Sequence, residues 1–376
     1  MEQVDFTIIG AGVVGLATAA QISSKGRDVF VIDKNTSFGQ EASSRNSEVI
    51  HSGIYYPAQS LKRKLCIEGN RLLYEFCQSR EIPFKKIGKL IMITEDSEQE
   101  HLHRLFNQGL ENGLEDLKLL NKEEIRKLEP DIKGIEAIYS ATTGIFDTHT
   151  LMEQFIKEAK AKGCEFVYST EVVGIEKESA GFKVVVKDAQ GEEFSFNTRI
   201  LINSAGRDSD SVAGTCGLDV EKLNYSIKFC KGQYFRLSNT YDCSVKHLIY
   251  PMPDLEGVSL GTHITPDLAG SLRVGPDAHY VAKDNWNYDI TPESKEDFYN
   301  STKRFLANVE MDDLYPDTSG IRAKLQGSHE GFRDFIIKEE SENDLPGLIN
   351  LIGIDSPGLT SSISIARYVE NLVGDM

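Results

Sequence analysis

The chain opens with a hydrophobic run, a glycine-rich turn, a run of small residues and a second hydrophobic run. Residues 4–9 are mostly apolar, which is typical of a buried strand, and the small residues 16–20 favour a closely packed helix. The second apolar run, residues 29–32, ends on Asp33. The turn has the pattern G-x-G-x-x-G, with its glycines at Gly10, Gly12 and Gly15. Together these elements predict a βαβ unit that binds a dinucleotide.

Each glycine of this turn has a separate expected task. Gly10 allows the tight passage from strand to helix, Gly12 lets the backbone approach a pyrophosphate, and Gly15 lets the helix pack close to the strand. The N–H groups and partial positive charge at the start of the helix favour phosphate binding. We expect Asp33 to accept a hydrogen bond from a ribose hydroxyl.

The pattern along the rest of the chain predicts further helices and strands. Helical spacing is found in residues 61–80, 97–112, 123–128, 151–162 and 292–309, and again from about Thr360. Strand-like runs occupy residues 88–93, 165–168, 171–177, 182–187, 193–196, 199–203 and 348–353. Alternating strands and turns in residues 227–276 indicate an antiparallel sheet.

Strands of the parallel type occur at the start, middle and end of the chain. Between them lie two segments whose patterns indicate mostly antiparallel or mixed sheet. This predicts an α/β fold, α+β overall, with a Rossmann-like cofactor domain interleaved with a substrate domain on a mixed or antiparallel sheet. The expected cofactor domain comprises residues 1–80, 145–220 and 335–376, and the substrate domain 81–144 and 221–334. Because cofactor-type strands recur near Leu201 and Leu351, the pattern favours FAD over the shorter nicotinamide dinucleotide.

Composition narrows the possible partners. The chain has 376 residues and a formal net charge of −17, which disfavours nucleic acid because no bulk positive field would neutralise phosphates. No apolar run approaches the ~18 residues of a membrane-spanning helix. Glu2 and Asp5 make the leading segment acidic, whereas a signal peptide begins with a basic one. We therefore expect a cytoplasmic protein with, at most, peripheral contact at the inner face of the plasma membrane.

The cysteines show no spacing that is typical of a metal site or a disulfide framework. No pair has the C-x-x-C spacing, and no histidine cluster accompanies them. We expect buried free thiols, no bound metal and a non-covalently held flavin, although one cysteine has the chemistry to attach it. The six cysteines are Cys66, Cys77, Cys164, Cys216, Cys230 and Cys243.

Four blocks of the sequence resemble the flavin-contacting blocks of the D-amino acid oxidase-like (DAO) superfamily of FAD-dependent enzymes. They are residues 10–33, 171–175, 203–206 and 353–362. The superfamily includes glycine oxidase, sarcosine oxidase and glycerol-3-phosphate dehydrogenase. Within it, further blocks are most similar to the L-2-hydroxyglutarate dehydrogenases. These are residues 45–56, 60–62, 231–234, 261–266, 275–276, 319–323 and 350–362.

The resemblance implies a set of FAD-binding residues. Val172 would contact the adenine through its backbone, Ala205 and Gly206 would pass close to the pyrophosphate, and residues 358–360 would lie at the flavin ring. A helix N-terminus there would stabilise negative charge on the reduced flavin. The complete set is Gly10, Gly12, Val14, Gly15, Asp33, Lys34, Ser44, Arg45, Asn46, Ser47, Val172, Ala205, Gly206, Gly353, Pro357, Gly358, Leu359 and Thr360.

Oxidation of a 2-hydroxy acid needs a cation for the carboxylate, a base for the hydroxyl proton and a hydride acceptor, here flavin N5. By resemblance Arg322 would hold the carboxylate, and a surface or interdomain salt bridge is the alternative role of this residue. His51 is the favoured base, and His263 is a substrate ligand or the alternate base. A structural, hydrogen-bonded role stays open for both histidines. His101 and His103 lie in a charged helix and are expected to be exposed.

A five-carbon dicarboxylate needs a second group of cations or hydrogen-bond donors. The candidates are Tyr56, Lys231, Tyr250, His263 and Thr265, and Lys231 has the alternative of approaching the flavin. The basic run 62–64 either adds positive field or forms a solvated helix face.

The function implied is the FAD-dependent oxidation of L-2-hydroxyglutarate to 2-oxoglutarate. The electrons would pass to a quinone, an electron-transfer flavoprotein or oxygen, and the resemblance favours a quinone. The alternatives are an amine oxidase of the glycine or sarcosine type and a non-catalytic flavin-binding redox sensor. His51 and His263 argue against the amine oxidase, and Arg322 together with them argues against the sensor.

Overall fold

The structure is a computed structural model, and it describes residues 3–238, 241, 245–253 and 261–374. Its strands are β1 (Gln3–Ile9), β2 (Val29–Ile32), β3 (Val49–Ile50), β4 (Phe84–Lys85), β5 (Lys89–Ile93), β6 (Leu117–Asn121), β7 (Glu136–Ser140), β8 (Gly144–Phe146), β9 (Glu165–Val167), β10 (Glu171–Glu178), β11 (Gly181–Lys187), β12 (Glu193–Asn203), β13 (Lys228–Leu237), β14 (Leu248–Pro251), β15 (Ile264–Pro266), β16 (Leu272–Val274), β17 (His279–Val281), β18 (Leu314–Lys324), β19 (Ile336–Glu340) and β20 (Leu345–Ile352). The helices are α1 (Val13–Ile22), α2 (Leu61–Ser79), α3 (Gln99–Glu111), α4 (Lys122–Leu128), α5 (Thr148–Ala161), α6 (Ser209–Thr215), α7 (Ser294–Thr302) and α8 (Ser362–Gly374).

The N-terminal βαβ unit lies in the middle of the first sheet. The strand order there is β10-β11-β12-β1-β2-β9, while β20 pairs with β12 and β19 pairs with β20. Strands β1, β2, β9, β12 and β20 are mutually parallel, so their carboxyl ends meet at one edge. In open α/β sheets ligands bind at that edge. Gly10, Asp33, Ser204 and Gly353 are the residues that follow four of these strands.

The helix of the βαβ unit is buried against the sheet and two other helices. Its apolar residues join those of α5 and α8 in one core cluster. A Cβ added to Gly15 would lie 2.0 Å from the carbonyl oxygen of Gly10, so only glycine allows α1 to approach the turn this closely. The Rossmann-like unit predicted from the opening pattern is therefore confirmed.

A second sheet has a different character. Its order is β17-β13-β16-β15-β14-β5-β7-β6, with β18 paired to β13, and only β14 and β5 are parallel among these pairs. The antiparallel strands predicted in residues 227–276 are present as β13 to β16. A small antiparallel sheet of β3, β8 and β4 completes the strands. The mixed fold class is confirmed, whereas the exact domain boundaries stay a prediction.

Several observed elements differ from the predicted ones. The helix expected over residues 292–309 is only α7, because the chain turns after Thr302 and Asn308 takes a φ of +59°, which no right-handed helix contains. The two strands expected in residues 193–203 form one strand, β12. Strand β18 was not predicted, because Pro316, Asp317 and Gly320 interrupt its hydrophobic alternation.

None of the helices in the described residues is long and apolar enough to span a bilayer.

Candidate active site

A cavity of about 920 Å³ is lined by residues of both large sheets. Its volume lies near the upper end of the range for ligand pockets, ~300–1,000 Å³. Most of the site residues expected from the sequence line it. They are Gly10, Gly12, Val14, Asp33, Lys34, Arg45, Asn46, Ser47, Val172, Ala205, Gly206, Pro357, Gly358 and Leu359, together with His51, Tyr56, Tyr250, His263 and Arg322.

The region around Gly12 fits a phosphate-rich ligand. Gly12 is the N-cap of α1 and has no side chain to cap the helix. Ser43 Oγ accepts the N–H of Val13 at 3.0 Å, and the next N–H groups of the first turn suit an anion. The Oδ2 atom of Asp33 accepts a hydrogen bond from the Ala11 N–H at 2.7 Å, and its Oδ1 accepts from the Asn35 N–H at 2.8 Å. These bonds fix the carboxylate at the cavity wall, where a ribose hydroxyl can reach it.

The loop of residues 42–48 forms a rigid stretch of the cavity wall. Asn46 donates from Nδ2 to the Ser43 carbonyl at 2.7 Å and accepts at Oδ1 from the Glu48 N–H at 2.7 Å. The guanidinium of Arg45 lies 3.8 Å from the ring centroid of Tyr288. Because its polar groups are paired within the protein, this loop keeps a fixed shape without a ligand.

Four expected FAD-binding residues do not line the cavity. They lie in the layer of residues behind its wall. Gly15 packs α1 against the turn, and a Cβ on Gly353 would meet Leu325 at 2.5 Å. Thr360 is fully buried and accepts the backbone N–H of His51 at 3.0 Å. Ser44 lies beside Gly39, 3.2 Å from where a Cβ of that glycine would lie.

None of the five described cysteines lines the cavity, so none of them is placed to attach a flavin. Cys66, Cys77, Cys164 and Cys230 are buried and Cys216 is partly buried, all with free thiols. Burial raises the pKa of the Cys66 thiol to about 12. Cys243 lies outside the described residues.

His51 lies beside the loop expected at the flavin. The Thr360 hydroxyl accepts a hydrogen bond from the backbone N–H of His51. The backbone carbonyl of His51 accepts one from Asn70 Nδ2 at 2.9 Å. Burial, assisted by the charge of Lys89 and by His263, lowers the pKa of His51 well below its usual value. The imidazole is therefore neutral near pH 7 and able to accept a proton.

His263 is neutral for similar reasons. Its Nδ1–H donates to the Gly261 carbonyl at 2.8 Å, so Nε2 is the acceptor nitrogen of the neutral ring. The ring stacks on Tyr250 with centroids 3.8 Å apart. Burial, opposed by the Gly261 hydrogen bond and assisted by Lys89 and Arg322, lowers the pKa of His263 to about 3.

Arg322 faces the cavity and forms no ion pair within the part of the chain that the structure describes. Its Nη2 donates to the carbonyl of Asp277 at 2.6 Å, and weaker bonds of 3.4 Å reach the carbonyls of Lys231 and Cys230. No carboxylate of the described residues lies within ion-pair distance of it. The surface or interdomain salt bridge considered as its alternative role is absent from that part of the chain. A fixed guanidinium of this kind suits an anionic ligand.

Lys231 and Thr265 do not line the cavity, contrary to their expected place at the substrate. Antiparallel pairing sets Cys230 opposite Arg322, so Arg322 and Lys231 project from opposite faces of the sheet. Lys231 Nζ accordingly donates to Asn287 Oδ1 at 3.1 Å. Thr265 is buried next to the Tyr250 hydroxyl.

The cavity is also lined by residues to which the sequence analysis gave no role, or only a general one, at the site. His101, expected to be exposed, is partly buried in the wall, whereas His103 pairs with Glu136 at 2.9 Å. Lys62 forms a buried ion pair of 2.7 Å with Asp355, so this member of the basic run is not part of a solvated face. Helical spacing offered a signal, because Lys62 shares a face with the buried residues Leu65, Cys66 and Gly69. Lys324 is another of these residues.

The chain is similar to known flavoenzymes over its whole length. A family model described as FAD dependent oxidoreductase (DAO) matches residues 5–372. The chain is 36% identical to the mitochondrial L-2-hydroxyglutarate dehydrogenase of Arabidopsis thaliana, with 98% of this chain and 83% of that protein covered. It is 32% identical to a glycerol 3-phosphate dehydrogenase of Caloramator mitchellensis, with 98% and 73% covered.

A solved structure has the same fold. The dithionite-reduced L-alpha-glycerophosphate oxidase from Mycoplasma pneumoniae, with FAD bound, superposes with a TM-score of 0.87 at 26% identity. The alignment covers 100% of this chain and 95% of that one. The glycine turn, the cavity and these similarities agree, and FAD is the cofactor. The chain belongs to the DAO family of FAD-dependent oxidoreductases.

Proposed function

We propose that this oxidoreductase converts L-2-hydroxyglutarate to 2-oxoglutarate. The observation that carries the proposal is the combination of Arg322, without a counterion among the described residues, and two neutral histidines at one wall of the cavity. A cation and a proton acceptor are the two protein groups that oxidation of a 2-hydroxy acid requires. The similarity to the Arabidopsis dehydrogenase supports the choice of substrate.

In this proposal Arg322 holds the carboxylate next to the reacting carbon. Three backbone carbonyls fix its Nε and Nη2, which leaves Nη1 to meet the substrate. His51 is the proposed acceptor of the hydroxyl proton: its ring is neutral, and its backbone N–H is bonded to Thr360, the residue after 357–359. FAD bound in the cavity would supply the hydride acceptor, flavin N5. Tyr56 and Tyr250 then remain as hydrogen-bond donors for the second carboxylate.

The electron acceptor is proposed to be a quinone, with an electron-transfer flavoprotein or oxygen as alternatives. The support is the family resemblance alone. Protein that has been reduced without oxygen should be mixed with a soluble quinone, an electron-transfer flavoprotein or oxygen in turn. Fast return of the oxidised flavin spectrum with the quinone, and slow return with oxygen, is the expected result, and the reverse order would refute it.

The substrate is tested by anaerobic reduction of the protein-bound flavin. Bleaching of its visible absorbance by L-2-hydroxyglutarate, with no response to D-2-hydroxyglutarate, glycine or sarcosine, is expected. Glycerol 3-phosphate belongs in the same panel, because the Caloramator relative and the Mycoplasma structure are named for it. Bleaching by glycerol 3-phosphate alone, or by the amines alone, would reject the proposal.

The proton acceptor is tested with His51→Gln. We expect flavin reduction by L-2-hydroxyglutarate to slow by ~10²-fold or more, since general base catalysis contributes about that much. Flavin content should not change, and His149→Gln provides the control because His149 is an exposed residue whose side chain keeps 65% of its accessible surface. An unchanged rate in His51→Gln would assign the proton to another group, His263 first.

A further inference from the structure

A fully buried lysine, Lys89, lies behind the histidine and tyrosine wall of the cavity. It begins β5, and its side chain is 0% exposed. Strand alternation puts it on the same face as Ile91 and Ile93, which belong to one apolar cluster, while Leu90 and Met92 belong to another. Burial of an ammonium group is costly, so an apolar residue would serve packing better at this position.

The ammonium group contacts aromatic rings instead of hydrogen-bond acceptors. Its Nζ lies 4.8 Å from the ring centroid of Tyr55 and 4.5 Å from that of Tyr250, and it has no hydrogen-bond partner among the described residues. Both rings line the cavity. Because Tyr250 stacks on His263 at 3.8 Å, the lysine, tyrosine and histidine form one continuous stack. Cation–π contacts of this kind are strongest where water is excluded.

The groups around Lys89 include no anion among the described residues. Tyr250 faces it from β14, Tyr55 and His51 from residues 51–55, Cys66 from α2, and His263 from the residue before β15. Its partner across β7 is the neutral Ser140. The Cys66 thiol is no counterion, because burial raises its pKa to about 12. No anion of the described residues therefore offsets the charge of Lys89 at the two histidines, Tyr55 and Tyr250.

We propose that Lys89 is a positioning residue whose buried ammonium, acting through Tyr55, Tyr250 and His263, disfavours the imidazolium forms of both histidines beyond what burial alone does and makes the cavity wall attractive to a dicarboxylate. The part that concerns the dicarboxylate rests on the proposed function. The part that concerns the histidines does not, because it depends only on the position of Lys89 at Tyr250, whose ring stacks on His263.

The sign of the effect follows from electrostatics. A nearby cation disfavours the imidazolium form, so it lowers the pKa of each histidine. Burial lowers the pKa of Lys89 itself to about 7. The lysine is therefore charged over the acidic range in which the histidines titrate. Above about pH 7 it loses its proton, and attraction of an anionic substrate weakens.

The first experiment measures the histidines directly in the FAD-loaded protein. Ring signals of ¹⁵N-histidine are followed by NMR against pH, and those of His51 and His263 are identified by their loss in the His→Gln variants. We expect Lys89→Met to raise both pKa values by ~0.5–1 unit and Lys89→Arg to leave them low. The matched control is Lys118→Met, an exposed lysine of β6. Unchanged histidine titrations in Lys89→Met would overturn the proposal.

If Lys89→Met does not fold, the same NMR titration of the wild-type protein tests the proposal. Loss of the Lys89 charge should then move the ring signals of His51 and His263 a second time near pH 7, and a single inflection in each would refute the proposal.

The second experiment separates binding from turnover. In the wild type, KM for L-2-hydroxyglutarate should rise several-fold between pH 7 and pH 9 while kcat changes less. Lys89→Arg should hold KM low across that range, and Lys89→Met should hold it high. If L-2-hydroxyglutarate reduces no flavin at any pH, the proposed function fails while the NMR result still decides the role of Lys89. A pH-independent KM in the wild type would contradict the attraction of the dicarboxylate.

Discussion

At the scale of single residues, what distinguishes the charged side chains of the cavity is whether a partner neutralises them. Lys62 is neutralised by Asp355 at 2.7 Å, and Lys34 by Asp208 at 2.6 Å. Arg322 meets only backbone carbonyls among the described residues. A permanent charge that is held in place but not neutralised is the feature that suits it to an anionic substrate.

Replacement of Arg322 should therefore impair substrate handling more than folding. For Arg322→Met we expect kcat/KM to fall roughly 30- to 5,000-fold, the range for truncating one partner of a buried charge pair. Arg322→Lys should lie between, because lysine keeps the charge but not the planar fork. Stopped-flow reduction with L-2-hydroxyglutarate measures both. Arg71→Met is the control on an exposed arginine, and equal kinetics in the two Met variants would contradict the role of Arg322.

The neutral histidines make stability depend on pH. The pKa of His263 is about 3 in the folded protein, against about 6.5 when unfolded, so below pH 6.5 the unfolded chain binds the extra proton. Above pH 6.5 this histidine does not change the free energy of unfolding. Below pH 6.5 that free energy falls with pH, by about 2 kcal/mol at pH 5. Urea unfolding of wild type and His263→Asn at pH 5 and pH 7.5 checks this. The variant should show the smaller loss, and identical losses would reject the assignment.

At the scale of elements, the approach of α1 to the first turn is set by one glycine. Gly15→Ala would place a methyl group 2.0 Å from the Gly10 carbonyl oxygen and 2.6 Å from Ser204 Oγ. We expect a loss of stability of ~1–3 kcal/mol or more, as for overpacked cores, together with reduced flavin content. Thermal unfolding and the flavin-to-protein absorbance ratio measure the two effects.

Gly214→Ala is the matched control for that substitution. Gly214 lies in α6, and an added Cβ would meet only Val220 at 3.8 Å, an ordinary contact. Alanine favours a helix over glycine by up to ~1 kcal/mol, so this variant should be neutral or slightly more stable. Equal destabilisation by both substitutions would mean that the turn tolerates a side chain.

At the scale of the whole molecule, the cavity joins segments that are distant in the sequence. The described residues that line it fall within 9–62, 101–108, 170–215, 232–234, 250–253, 263–276 and 320–359, and both large sheets contribute to them. Since FAD binds the folded chain and not the unfolded one, it stabilises the fold by mass action.

Removal of FAD should therefore lower the stability of the entire molecule. At free FAD 100-fold above its Kd, the expected difference is about 2.7 kcal/mol. Differential scanning calorimetry of apoprotein with increasing FAD measures it, and Tm should rise with FAD concentration. A riboflavin control shows whether the phosphate-binding turn contributes. A Tm that does not depend on FAD would mean that the cavity is not its site.

The sequence by itself determined the parts of this protein that depend on neighbouring residues. The glycine spacing, the apolar runs and Asp33 specify the βαβ unit, because turn geometry and strand burial are local properties. Family motifs added His51, His263 and Arg322, and all three line one cavity. These features needed no knowledge of which strands pair.

Only the tertiary structure decided which charged side chains face that cavity. Register places Arg322 and Lys231 on opposite faces of paired strands, although both are cations in adjacent motif blocks. Alternation and strand order bury Lys89 behind Tyr250, which is 161 residues away in the chain. Long-range pairing sets these directions, because a shift of one residue in register turns every side chain of a strand to the other face.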